Sequence, residues 1–369
     1  MPRVEAWELV KEFLFPGRST HRAVPPLDGG LTPNDALESL ATVAGVAAPE
    51  DACPDLRGGL LVSTGRQVVR RSGPDFVRSE VVADLPGLAG ALALTADGAV
   101  LVCVAGTGLV RVGRDGTTSV VAGTDEHGVP IHCPTDLAVA ADGVVYLTDG
   151  SVRHHGPDWV RDLMEQNATG RLLRYDPASG RTAVLAGGLA YAAGVCLAPD
   201  EDALVVSEAW AHRISRFPLS GPGKPVRENL PGYPGRINPA PDGYWLAVFA
   251  LRTQLVEFVL TQRDYVTEMM RTVEPDHWIR PALRGLDSGL EPLQGGQIRK
   301  LGVIKPWAPP RSYGLVARLD EEGYVIGSMH SRGGGRRHGV TSVKQDGDRV
   351  FVAVHGGDRV LTAEAGGTR

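Results

Sequence analysis

One phrase recurs along the chain: a short apolar run, a polar turn usually built on Asp-Gly, then three to five further apolar residues. Runs rich in Val, Leu and Ala and bounded by Gly, Pro or Asp predict brief strands joined by tight turns. The copies are Glu50–Thr64, Leu88–Val104, Pro134–Asp149, Ala193–Glu208, Gly235–Phe249 and Val340–Val354. Their turns fall about 40–60 residues apart, except for a last interval of about 104, which suits four-stranded propeller blades with insertions. Between the copies lie Gly108–Gly123, Gly170–Leu185, His212–Leu230 and Tyr313–Ser331, each alternating around a Gly, Pro or Asp turn as a second hairpin does. A single four-stranded sheet cannot bury both faces, so the expected fold is all-β, a six-bladed β-propeller closed radially.

The long interval holds residues 262–310, read as an insertion over one face, with helical patterning at Tyr265–Val273 and His277–Leu283. Residues 1–45 read as an N-terminal extension, with an amphipathic helix at Trp7–Phe15 and an extended connector at Pro25–Pro33, and residues 46–369 as the propeller.

Composition narrows the function. The 369 residues carry a net charge of −5, and only five basic residues are lysine, so there is no basic surplus for nucleic acid or an anionic membrane. No uninterrupted apolar stretch is long enough for a membrane helix, and acidic residues interrupt the N-terminus, so a cytoplasmic location is expected. Cys53, Cys103, Cys133 and Cys196 lack metal-ligand or CxxC spacing and read as reduced, small core residues. A GxSxG elbow, a Walker loop and a dinucleotide fingerprint are all absent from the sequence, which leaves serine-hydrolase, nucleotide and Rossmann readings unsupported.

Several phrases, in order, resemble the strictosidine synthase-like family, among the gluconolactonase and paraoxonase-type six-bladed propellers. They are GRLLRYDPASGRTAVLAGGL (Gly170–Leu189), GVCLAPDEDALVVSEAWAHRISR (Gly194–Arg216), NLPGYP (Asn229–Pro234), and Tyr313–Gly323 followed by Val340–Val343. The resemblance implies a small-molecule substrate at the tunnel mouth and, in metal-dependent relatives, an axial calcium. Where those relatives place ligands, this chain has Glu50 followed by Asp51, then Thr135-Asp136, Ala193-Gly194 and Gly235-Arg236. Calcium requires six to eight oxygens, so no metal and no cofactor are expected. The Arg236 guanidinium is expected to replace the ion and pair with Glu50 and Asp136, the alternative being that it turns outward to solvent. Strictosidine synthase itself uses a glutamate near the start of the last inner strand; Thr341 stands here.

The expected catalytic residues are therefore His132, Asp136 and His338, and the expected substrate-binding residues Glu50, Thr135, Arg236 and Thr341. A Cys133–His132 nucleophile is disfavoured because adjacent residues on extended backbone point apart. His154 and His155, and the basic run Arg332–His338, read either as facing the pocket mouth or as solvated. The resulting expectation is a metal-independent acid/base enzyme, condensing or cyclising a small organic molecule. A calcium-dependent lactonase or esterase and a non-catalytic binding or scaffold propeller are the alternatives, with oligomeric state open.

Overall fold

A computed structural model describes residues 23–285, 299–300, 303–304 and 311–365; the helix expected at Trp7–Phe15 lies outside them. Six four-stranded antiparallel sheets are arranged as a propeller, and each repeated phrase is an inner strand with the second strand after it. The inner strands are Pro49–Pro54, Ala89–Leu94, Pro134–Val139, Ala192–Leu197, Gly232–Ala240 and Val340–Asp346, and each packs against the next around the axis. The faces between blades are apolar; Val62, Val102, Leu147, Val206, Ala247 and Val352, one from each second strand, are all inaccessible to solvent. Burying this apolar area stabilises the ring by roughly 25 cal/mol per Å².

Blade 6 takes its outermost strand from the N-terminal side. Ala41–Gly45, expected from the sequence to belong to the extension, pairs antiparallel with Arg359–Glu364. Residues 23–40 continue onto blade 5, where the Asn34 side chain donates to the Ser328 carbonyl and accepts from the His330 amide. His330 Nε2 lies 2.8 Å from Ser328 Oγ and Nδ1 3.0 Å from the Tyr313 hydroxyl, and Ser328 Oγ donates to the Gly30 carbonyl. Glu38 bonds Ser331 Oγ and the amides of Arg336 and Arg337, while Arg332 pairs with Asp35. The basic run Arg332–His338 is thereby tied to this strap.

Small hydroxyls fasten four of the six junctions between neighbouring blades at the axis. Ser63 Oγ donates to the Gly90 carbonyl, Thr135 Oγ1 to Ala192, Ser207 Oγ to Gly235, and Thr341 Oγ1 to Pro49. At Gly194 a Cβ would stand only 2.5 Å from the Gly235 carbonyl oxygen, so the approach of blades 4 and 5 requires glycine there.

Insertions leave blades 3 and 5 between the second and third strands, at the end where the inner strands begin. The first carries a helix at Trp159–Glu165. The second begins earlier than residue 262, with helices at Gln254–Thr261 and Arg263–Thr272. The helix expected at 277–283 is not formed: a single 3-10 turn at Pro275–His277 ends in extended backbone at Trp278 and then bends, and Pro281, which lacks an amide hydrogen, disfavours a helix running through it. Leu163 and Met164 of the first insertion pack with Val256, Val259, Met269 and Trp278 of the second, making one cap. No helix among the described residues is long and apolar enough to cross a membrane.

Candidate functional site

All six inner strands slip register near their first residues: between Pro49 and Asp51, Ala89 and Leu92, Pro134 and Asp136, Ala192 and Gly194, Pro234 and Ile237, and Val340 and Ser342. A bulge releases residues from the ladder and re-aims them. Those released include Glu50, Gly90, Thr135, Ala193, Arg236 and Thr341, and all six line one cavity of about 430 Å³. The slip in blade 5 frees both Gly235 and Arg236, as that in blade 2 frees Gly90 and Ala91, and lets the longest of these side chains reach the axis.

Arg236 is 8% exposed and spans the tunnel. Its Nε donates to the Thr135 carbonyl at 3.0 Å, and Nη1 donates to the carbonyls of Glu50 (2.7 Å) and Thr341 (3.1 Å). Nη1 also lies 3.5 Å from Glu50 Oε2. One planar cation thus bridges blades 1, 3, 5 and 6. The opposite Glu50 oxygen, Oε1, is 2.7 Å from His355 Nδ1, and His355 also lines the cavity. Burial disfavours the Glu50 carboxylate, but His355 and Arg236 outweigh it and hold its pKa below the ordinary value.

Beneath the guanidinium, Asp51 and Asp136 hold equivalent places in blades 1 and 3. Each carboxylate accepts from the amide following it and from the next blade, Leu92 N for Asp51 and Val195 N for Asp136. Their partners differ. Asp51 also accepts from Ser342 Oγ and Lys344 Nζ, both at 2.5 Å. Burial works against its charge, yet Lys344 and Arg236 keep its pKa below normal. Asp136 has no such direct cation partner among the described residues, and burial pushes it up to about 7 despite the fields of Arg236 and Lys344.

A carboxyl whose pKa is raised on folding binds more protons folded than unfolded, so its contribution is full below the unfolded pKa and is lost as pH rises towards 7. Asp136 is therefore expected to give the melting temperature a downward slope between about pH 4 and 7, against the opposite slope that buried His330 and His338, with their lowered pKa values, give below about pH 6.5. Asp136→Asn should flatten the downward slope in pH-dependent calorimetry. A slope unchanged in the variant would assign the titration elsewhere.

The remaining wall is apolar and aromatic: Trp159 from the cap, Tyr191, Trp210 and Phe249. Trp210 lies 4.3 Å from Tyr191 between ring centroids and donates its indole N–H to buried Asp162 at 2.8 Å, joining the wall to the cap helix. Cys133 also lines the cavity, 3.5 Å from the Tyr191 hydroxyl, but burial pushes its thiol up to about 12, so it is no ready nucleophile.

The structure thus brings Glu50, Thr135, Arg236 and Thr341 together. His132, Asp136 and His338 do not line the cavity. His132 packs edge-on against His155, with ring centroids 4.8 Å apart. Its loop is anchored by Arg171, which binds Asp125, Asp149 and the Pro130 carbonyl. Asp136 is sealed below Arg236 by its two amide partners. Buried His338 has Nε2 3.0 Å from the Arg332 carbonyl and Nδ1 2.8 Å from Ser312 Oγ; because a carbonyl only accepts, the imidazole is fixed with its hydrogen on Nε2. Burial also lowers its pKa. His355 and Trp210 are cavity residues that were not expected from the sequence.

A family model described as strictosidine synthase matches residues 135–222. Two curated proteins of Arabidopsis thaliana are similar. Strictosidine synthase-like 13 is 30% identical over 62% of this chain and 51% of its own length, and strictosidine synthase-like 6 is 31% identical over 62% and 63%. The chain therefore spans about half to two-thirds of the length of these relatives. Among solved structures, a gluconolactonase from Xanthomonas campestris superposes with a TM-score of 0.58 at 16% identity, over 93% of this chain and 98% of that one. Regucalcin of Agrobacterium tumefaciens, a calcium-binding protein, gives 0.55 at 13% identity over 88% and 93%. Identities this low establish a common fold alone.

Calcium does not fit the residues at this axis. The carbonyls of Glu50, Thr135 and Thr341 face inward, but each accepts from the Arg236 guanidinium, which puts a fixed positive charge where a dication would sit. Among the described residues no group of three or more His, Cys, Asp or Glu side chains is placed to hold a metal ion.

Proposed function

From the premise that this chain is a strictosidine synthase-like six-bladed β-propeller, we propose that it is a metal-independent enzyme using acid/base chemistry to condense or cyclise a small, largely apolar organic molecule. The observation that carries this reading is the contact of the Glu50 carboxylate with the His355 imidazole, 2.7 Å apart in the wall of a largely apolar cavity. A carboxylate touching a histidine can take a proton from one reacting atom and return it to another, which is what condensation and ring closure need. Arg236 fixes Glu50 through its backbone carbonyl and its charge, Trp159, Tyr191, Trp210 and Phe249 receive the apolar body, and Thr135 and Thr341 complete the polar floor. His132, Asp136 and His338 have no proton-transfer role in this scheme.

The test is a turnover screen of aryl amine–aldehyde pairs, aryl esters and lactones, with and without chelator. Turnover indifferent to chelator and reduced at least about 100-fold by Glu50→Gln is the expected result. Turnover restored by calcium after chelation, or undiminished in Glu50→Gln, would overturn the reading.

A further inference from the structure

Arg236 has five N–H donors in a planar fork. Three are committed: Nε–H to Thr135, and both Nη1 hydrogens to Glu50 and Thr341. Among the described residues Nη2 donates no hydrogen bond. The three committed bonds, to three separate blades, hold this free edge of the guanidinium open to the cavity. Nη2 lies beside Gly90, another cavity residue, where an added Cβ would stand 3.4 Å from it. Gly90 leaves open the space that the remaining donors address.

We infer that Nη2 of Arg236 is a binding position for an uncharged carbonyl oxygen, so that the molecule taken by this cavity is a neutral aromatic carbonyl compound. The inference rests on the preceding reading of the cavity as the active site and deepens it. Two features select the class. The aromatic wall of Tyr191, Trp210, Phe249 and Trp159 surrounds the body of the ligand, where ring stacking adds about 0.5–1.5 kcal/mol beyond burial. The charge balance selects the oxygen: Glu50 already lies 3.5 Å from Nη1, and Asp51 and Asp136 lie below. A second carboxylate would be repelled by Glu50, and an ammonium by Arg236. A neutral C=O satisfies Nη2 without adding charge.

The test is calorimetric titration of the full-length protein with phenylacetamide, phenylacetate and phenylethylamine, probes that share a ring and differ in the polar group. Phenylacetamide is expected to bind at least tenfold more tightly than either charged probe. Gly90→Ala, whose methyl group would occupy the space beside Nη2 at van der Waals distance while leaving the three committed hydrogen bonds in place, should weaken phenylacetamide at least tenfold and compress the three affinities to within threefold. Arg236→Lys is the second variant, with folding checked by circular dichroism, and it should abolish the same preference. Preferred binding of either charged probe, or phenylacetamide affinity unchanged in Gly90→Ala, would overturn the carbonyl assignment while leaving the cavity a binding site. Binding of none of the three would overturn both this assignment and the reading it rests on.

Discussion

Replacing Arg236 by methionine is expected to lower the unfolding free energy by about 3–5 kcal/mol. The chain loses more than a side chain there. The carbonyls of Glu50, Thr135 and Thr341 lose their donors, and two carboxylates, half-buried Glu50 and fully buried Asp51, lose a cation that holds their pKa values down. Leaving one partner of a buried pair unmatched is costly because the remaining charge stays desolvated. These shifts also fix the sign of the pH dependence. A carboxylate whose pKa is lowered on folding contributes stability above its unfolded pKa and loses it as the solution is acidified through the folded value. Without Arg236 those values rise, so the deficit of the variant should shrink as pH falls from neutrality towards 4. Arg236→Lys should recover only part of the loss, since an ammonium cannot place planar donors on three carbonyls from separate blades. Urea unfolding at several pH values measures this; a methionine variant as stable as the parent would show that the axis does not depend on the guanidinium.

Removal of residues 1–45 should abolish cooperative thermal unfolding and leave an aggregating chain. Ala41–Gly45 is the outer strand of blade 6, and Leu37, inaccessible to solvent, packs into the core shared by Trp245, Val316, Met329 and Val352. Without the segment, Arg359–Glu364 becomes a bare edge, and unpaired edges recruit other chains. Leu37→Ala alone should cost about 2–5 kcal/mol. A truncated protein with an unchanged melting curve would show that the ring closes without its N-terminal strand.

Much of this molecule can be read from its sequence, because a propeller repeats its patterning. The six phrases mark the inner and second strands, and the opening residues Glu50, Thr135, Arg236 and Thr341 all face the axis. The features that escape detection have a common cause. Partners that meet only through ring closure, such as Ala41–Gly45 with Arg359–Glu364, lie far apart in sequence and share no local pattern. His355 is a subtler case. Antiparallel pairing sets Val340 opposite Val354, so the residue just past the sixth phrase lies near the opening of its inner strand. Reading one position beyond the first, second and sixth phrases reaches Gly65, Ala105 and His355, all cavity residues, whereas the same step from the other three reaches Gly150, Ala209 and Ala250, which do not line the cavity. Histidines 132 and 338 lead the other way: they lie in the loops before their inner strands, where neighbouring loops rather than the tunnel surround them.

The six register slips carry a consequence for how such proteins diversify. A residue released from the ladder has no partner directly opposite it in its own sheet, so each blade offers a letter at the hub whose spelling is limited by other blades, as the bonds of Thr135, Arg236 and Thr341 show. Six letters spell the chemistry, and the spokes proofread one another.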